Sequence, residues 1–182
     1  MIRELKQFVV VTSLALSSVA ASAMTVNFTS AEAPGVCNGC PVTTEYLPYG
    51  LTISDAYWYS DLRDTFDGQG LSINVAPTAT IAFGTVTPSV DFEYWVIGGF
   101  RGHYEAFDSG MGSLGSLDVD ASSGDVLGTF SFGGGVKYLT FSGERGFVQV
   151  SAVTYAVPEP GTYVLMLSGL AAMGLFLRRR RQ

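Results

Sequence analysis

The middle of this chain predicts an all-β domain, an antiparallel β-sandwich, on three observations. No window between Ala23 and Val157 sustains a helical period. Short runs rich in β-branched and aromatic residues recur there, broken by Gly, Pro, Asn, Asp and Ser. Several runs alternate, as half-buried strands do. The stretch is about 130 residues long, enough to bury a real core. A mean hydropathy of +0.30, with 47% hydrophobic residues, argues against a disordered chain.

The first element precedes the domain. Met-Ile-Arg-Glu-Leu-Lys-Gln leads into an apolar run from Phe8 through Ala20, then Ala21-Ser22-Ala23. A short positive segment, an apolar core and a small-x-small exit make a secretory signal peptide over residues 1–23. Signal peptidase is expected to cut after Ala23. An uncleaved anchor is the alternative, and on either reading the middle leaves the cytoplasm.

The predicted strands follow as Thr25–Thr29, Gly50–Tyr59, Leu71–Val75, Thr78–Phe83, Ser89–Ile97, His103–Phe107, Ser113–Val119, Val126–Phe132, Lys137–Phe141 and Phe147–Tyr155. Strands at this spacing with Gly-rich turns read as an antiparallel sandwich. Gly133-Gly134-Gly135 reads as a loose hairpin turn. The last run puts Phe147, Gln149, Ser151, Val153 and Tyr155 on one face, and Val148, Val150, Ala152 and Thr154 on the other. Neither face is charged, so the run reads as a central strand.

The final element is a tail. Val157-Pro158-Glu159-Pro160-Gly161-Thr162 precedes the uncharged apolar stretch Tyr163 to Leu177, then Arg178, Arg179, Arg180, Arg181 and Gln182. As a helix the stretch reaches about 22 Å, short of a hydrocarbon core of about 30 Å. Thr162 and Gly161 can extend it, and arginine stems can snorkel. The positive-inside rule places the arginines in the cytoplasm and the body on the far side, in agreement with the signal peptide. Pro158 and Pro160 hold their predecessors extended. A segment of that shape is one a processing enzyme can grip, with Glu159 as its central charge.

Pro158-Glu159-Pro160, a short membrane helix and a terminal arginine cluster together resemble the PEP-CTERM sorting signal of exported proteins from Gram-negative bacteria. The resemblance implies recognition by exosortase, a membrane-embedded cysteine transpeptidase. It implies anchoring in the inner membrane before processing, then release toward the cell surface or extracellular matrix, usually in bacteria that make exopolysaccharide and biofilm. It covers about the last 26 residues and divides them into a motif over 157–162, a transmembrane helix over 163–177 and an arginine tail over 178–182. The β-sandwich then occupies 24–156. From Ser89 onward, Val90-Asp91-Phe92-Glu93-Tyr94-Trp95, Tyr104-Glu105-Ala106-Phe107-Asp108 and Gly124-Asp125-Val126-Leu127-Gly128 loosely resemble a frequent body type of such proteins. That resemblance implies a jelly-roll sandwich similar to galactose-binding and carbohydrate-binding modules.

Charge narrows the partners. The whole chain carries −6, from 10 basic against 16 acidic residues. Without Arg3, Glu4, Lys6 and Arg178 to Arg181, four basic residues (Arg63, Arg101, Lys137, Arg145) face fifteen acidic ones, a formal −11. Such a body is no nucleic-acid binder, which needs a basic face for phosphates. An anionic glycan would have to be held through bridging Ca²⁺ or aromatic contacts.

The candidate chemistry is modest. Cys37-Asn38-Gly39-Cys40 lies among loop residues of an exported protein, which favours a structural disulfide. A redox pair, which wants a helix N-terminus, or a free or intermolecular pair is the alternative. Zinc would need more ligands than His103, the only histidine, supplies. No G-x-S-x-G elbow accompanies that histidine to suggest a triad, and no catalytic residue is assigned. Asp61, Asp64 and Asp67 precede Gly68-Gln69-Gly70 and form a candidate Ca²⁺ loop. Asp118, Asp120 and Asp125 form a second acidic group; solvated loops are the plain alternative for both. Tyr57, Trp58, Tyr59 and Trp95 are candidate glycan contacts, though a sandwich core also consumes aromatics. The expectation is a non-enzymatic surface protein that interacts with exopolysaccharide. A glycan-active enzyme, with two carboxylates meeting in a cleft, and a purely structural matrix protein are its rivals.

Overall fold

The structure, a computed structural model, describes residues 21–29, 37–60, 69–73, 77–144, 147–158 and 169–170. Residues 23–157 form one compact unit, and residues 1–22 with 158–182 form a second. The signal peptide, apart from Ala21 to Ala23, lies outside the described residues. So does the membrane helix expected over 163–177, except Gly169 and Leu170, which are helical. Among the described residues no helix is long and apolar enough to cross a membrane.

Among the described residues the body has ten strands: β1 (Ala21–Asn27), β2 (Cys40–Pro41), β3 (Leu51–Ser54), β4 (Ala56–Ser60), β5 (Gln69–Ile73), β6 (Thr78–Val96), β7 (Arg101–Phe107), β8 (Ser113–Asp120), β9 (Val126–Gly143) and β10 (Val148–Pro158). One 3₁₀ turn, Leu47–Tyr49, precedes β3. The hydrogen-bonded order is β2-β4-β5-β10-β6-β9-β7-β8, with β1 also on β10 and β3 also on β6. Strand β10 is thus central, paired antiparallel with β5 on one side and β6 on the other.

Two long strands turn this single path into two layers. The first half of β6 pairs with β3, from Leu51↔Phe83 to Ser54↔Thr80. Its second half pairs with β10, from Tyr155↔Val90 to Val148↔Val96. Between these halves the β6–β9 register shifts twice, from Ala82 to Thr87 and from Thr87 to Ser89. Such bulges let strands pass from one sheet to another. The opposite bend in β9 falls at Gly133-Gly134-Gly135, where Gly134 and Gly135 have φ of 95° and 88°. The glycine run is therefore not a hairpin turn. It is a bend inside one continuous strand, because glycine accepts positive φ while the ladder resumes on both sides.

One layer thus contains β3, the first half of β6, the second half of β9, β7 and β8. The other contains β2, β4, β5, β10, the second half of β6 and the first half of β9. They pack face to face. Tyr104 of β7 donates through Oη to the Gln149 carbonyl of β10 at 3.0 Å, and its ring lies 5.2 Å from that of Phe92 on β6. Burial pushes the Tyr104 hydroxyl well above its ordinary pKa, which keeps it a donor. Phe83 meets Tyr155 edge-on at 5.0 Å across the same gap. At Gly102 the layers approach so closely that a Cβ would stand 2.7 Å from Val96 Cγ2. The core between them is continuous and includes Leu51, Ile81, Phe92, Tyr104, Leu139, Phe141, Val150 and Val153.

Two further departures from the sequence reading have local causes. The run expected over Gly50–Tyr59 is two strands, split at Asp55 with φ of 61°. Aspartate tolerates this left-handed geometry better than most residues. There the chain crosses from one layer to the other, since β3 pairs with β6 and β4 with β5. In β10 a register shift between Val150 and Ala152 breaks the alternation. Val148, Val150, Val153 and Tyr155 consequently share the core side, which plain alternation would have divided between two faces.

Candidate functional site

The face of the second layer that points away from the core gathers most of the sequence's candidate contacts. Ala56 and Trp58 belong to the core, so alternation turns Tyr57 and Tyr59 outward, and both are half-buried. Leu71 and Ile73 likewise turn Ser72 outward, and Val148 and Val150 turn Gln149 outward. The register then places one row across four strands. Tyr57 opposes Ser72, Ser72 opposes Gln149, and Gln149 opposes Trp95.

The structure corrects two glycan contacts expected as exposed rings. Trp58 is 5% exposed and Trp95 1%. Trp58 is a core residue whose Nε1 donates to the Phe28 carbonyl at 2.9 Å. Trp95 stands on the outward face, yet its ring offers no stacking surface. Of the aromatic candidates, Tyr57 and Tyr59 keep accessible ring surface. Glu93 and Asp91 continue the outward face of β6 beyond Trp95, and Asp91 accepts a hydrogen bond from Ser131 Oγ on β9.

The cysteine loop borders this face. Cys37 and Cys40 are joined in a disulfide, with Cα atoms 5.2 Å apart. Gly39 N–H donates to the Trp58 carbonyl at 2.8 Å, and Asn38 Oδ1 accepts from Ser60 N–H at 3.1 Å. Gly39, at φ of 74°, brings the loop against Tyr59, whose Cε1 would lie 3.9 Å from a Cβ there. The bond closes a loop that these hydrogen bonds fasten to strand β4, and it sits at no helix start, unlike a redox pair.

Asp61, Asp64 and Asp67 lie outside the described residues. The second acidic group does not converge. Asp118 engages His103 Nδ1 at 2.6 Å, Asp120 accepts from Ser122 N–H and pairs with Arg101 at 2.9 Å, and Asp125 accepts from Gly98 N–H at 2.6 Å. Among the described residues no group of three His, Cys, Asp or Glu side chains is arranged to hold a metal ion.

His103, on β7, sits between Asp118 and Glu105, whose Oε2 lies 3.6 Å from Nε2. The hydrogen bond to Asp118 is the main reason its pKa lies above the ordinary value. A raised folded-state pKa stabilises the protein fully below the unfolded value, about 6.5. That stabilisation is lost as pH rises through the raised folded value. The groups are exposed, at 41% for His103 and 82% for Asp118, so the effect is expected at about 0.5 kcal/mol or less. The stability gap between the parent and His103→Ala, from urea melts, should be larger at pH 5.5 than at pH 8.5. An equal gap at both would disprove the linkage.

Sequence reasoning missed Ser72 and Gln149. Each is an isolated polar residue between apolar neighbours, and that pattern in a central strand was the available signal.

These features define an all-β body with an aromatic and polar outward face. Over residues 156–181 the chain carries the PEP-CTERM protein-sorting motif. No curated protein matches the sequence. Among solved structures, a mutant of the family 29 carbohydrate-binding module CBM29-2 is similar at a TM-score of 0.42 and 10% identity, covering 75% of this chain and 92% of that one. A second CBM29-2 mutant, complexed with mannohexaose, also scores 0.42 at 10% identity and covers 76% and 93%. The C-terminal CBM6 of LamC from Zobellia galactanivorans scores 0.38 at 12% identity and covers 75% and 100%.

Proposed function

We propose that this is an exported protein with a signal peptide over 1–23, held in the inner membrane by residues 163–177 and the arginine tail. Exosortase, acting at Pro158-Glu159-Pro160, releases it to the cell surface or extracellular matrix. Its body, residues 24–156, is a non-catalytic jelly-roll-type sandwich that contacts exopolysaccharide. The sorting motif carries this reading. Strand β10 supports it by leading straight into the motif: Ala156 N–H is held by Thr87 Oγ1 at 3.1 Å, Val157 packs on the core, and the strand ends at Pro158. The processing enzyme thus meets a motif that follows directly in the chain on the last strand of a folded body.

The test is made in cells that express exosortase. Glu159→Gln, or deletion of Arg178 to Arg181, should leave full-length protein in the membrane fraction; release at the parent rate would overturn the sorting role. The glycan part rests on Tyr57 and Tyr59, whose half-buried rings beside polar neighbours suit apolar stacking on sugars. On a glycan array, Tyr57→Ala with Tyr59→Ala should weaken the strongest signal by about tenfold or more, ~1.4 kcal/mol. A parent chain that binds no glycan would leave the structural matrix role in its place.

A further inference from the structure

The row across the outward face holds two polar atoms without partners. Gln149 and Trp95 are Cα partners on β10 and β6, and each is 1% exposed. Trp95 Nε1 and Gln149 Oε1 are both buried and make no hydrogen bond. Buried polar groups are satisfied in the great majority of cases, so an unpaired donor and an unpaired acceptor on two cross-strand partners call for an explanation. Their neighbour Ser72 does not supply one, because its Oγ donates to the Val148 carbonyl at 2.6 Å. On the other side Gly70 keeps the amide clear, since a Cβ there would stand 3.3 Å from Gln149 Oε1.

The chemistry of the pair selects its occupant. A carboxylate or phosphate could accept from Trp95 but would repel the Gln149 oxygen. An ammonium could donate to Gln149 but could not accept from Trp95. A hydroxyl does both through one oxygen. We propose that Trp95 Nε1 and Gln149 Oε1 form a binding site for a single hydroxyl group, which accepts from the indole N–H and donates to the amide carbonyl. That hydroxyl has two sources, a sugar ring or a resident water molecule. The first rests on the glycan reading above; the second stands without it.

Indole ¹⁵N–¹H spectra of the full chain, in a zwitterionic detergent free of sugar, separate the cases. Trp58, bonded to Phe28, is the internal reference, and Trp95→Phe assigns the two signals. The probes are maltohexaose, cellohexaose and laminarihexaose. If a sugar fills the site, the Trp95 signal shifts on titration while the Trp58 signal stays. If water fills it, the Trp95 N–H shows cross-relaxation with a long-lived water in the sugar-free sample. Gln149→Met should abolish whichever effect is seen; if that variant does not fold, Gln149→Asn, which shortens the reach by one carbon, replaces it. Water contact without binding of any glycan supports the site and defeats the glycan reading. Glycan binding that leaves Trp95 unmoved and dry supports the glycan reading and overturns the site. A silent Trp95 under all conditions also overturns it.

Discussion

Phe92→Ala should destabilise the body by about 4 kcal/mol, within the usual range for truncating a buried phenylalanine. Phe92 is 1% exposed and lies where the two layers meet. Its ring stacks on Phe132 at 5.6 Å with planes 6° apart, meets Tyr104 of the opposite layer at 5.2 Å, and approaches Tyr94 and Phe130 at 5.9 and 6.2 Å. Alanine would remove the centre of this cluster, and the flanking ladders hold the backbone too firmly for it to collapse. The loss would take a large share of a typical domain stability of about 5–15 kcal/mol. In a thermal melt it corresponds to a drop on the order of 15 °C. Phe130, in the same cluster, is 36% exposed, so Phe130→Ala should cost only about 1 kcal/mol. Equal losses for the two variants in urea melts would contradict this account of the core.

Local signals made much of this architecture legible. Strands β7 and β8 are near the positions their alternation predicts, because Tyr104, Ala106 and Val119 are buried and their exposed neighbours are polar. The central place of β10 could be read from its uncharged faces. What could not be read depends on pairing between distant segments. Pro88 and the three glycines at 133–135 look like chain breaks, yet they face each other across β6 and β9, and a shared bend leaves both strands continuous. Asp55 follows Ser54, so two polar residues stand together inside the run, but its left-handed φ becomes necessary only because β3 and β4 belong to different layers. The aromatic site was half legible for a related reason. Alternation shows that Tyr57 and Tyr59 share a face and Trp58 takes the other. Which face is the core depends on what packs against it.

A chain that ends at Glu144, without β10, should not fold, whereas one that ends at Val157 should keep the cooperative melt of the parent body. Strand β10 contributes Val148, Val150, Val153 and Tyr155 to the core, each at most 5% exposed. At about 1.5–3 kcal/mol for each such side chain, their loss sums to roughly 6–12 kcal/mol, comparable to the whole stability of a domain. The deletion would also strip the ladder partners of β5 and β6 and leave raw sheet edges that favour aggregation. The longer chain keeps the Ala156 hydrogen bond to Thr87 and the packing of Val157. Circular dichroism melts of the two purified chains give the comparison, and a cooperative transition in the shorter one would refute it. For sorting, the consequence is a matter of order along the chain. The strand that completes both sides of the second layer also runs up to Pro158, the first residue of the Pro-Glu-Pro motif. The body therefore closes only when the residues next to the motif are in place. A cut on the far side of Val157 would then release a finished domain.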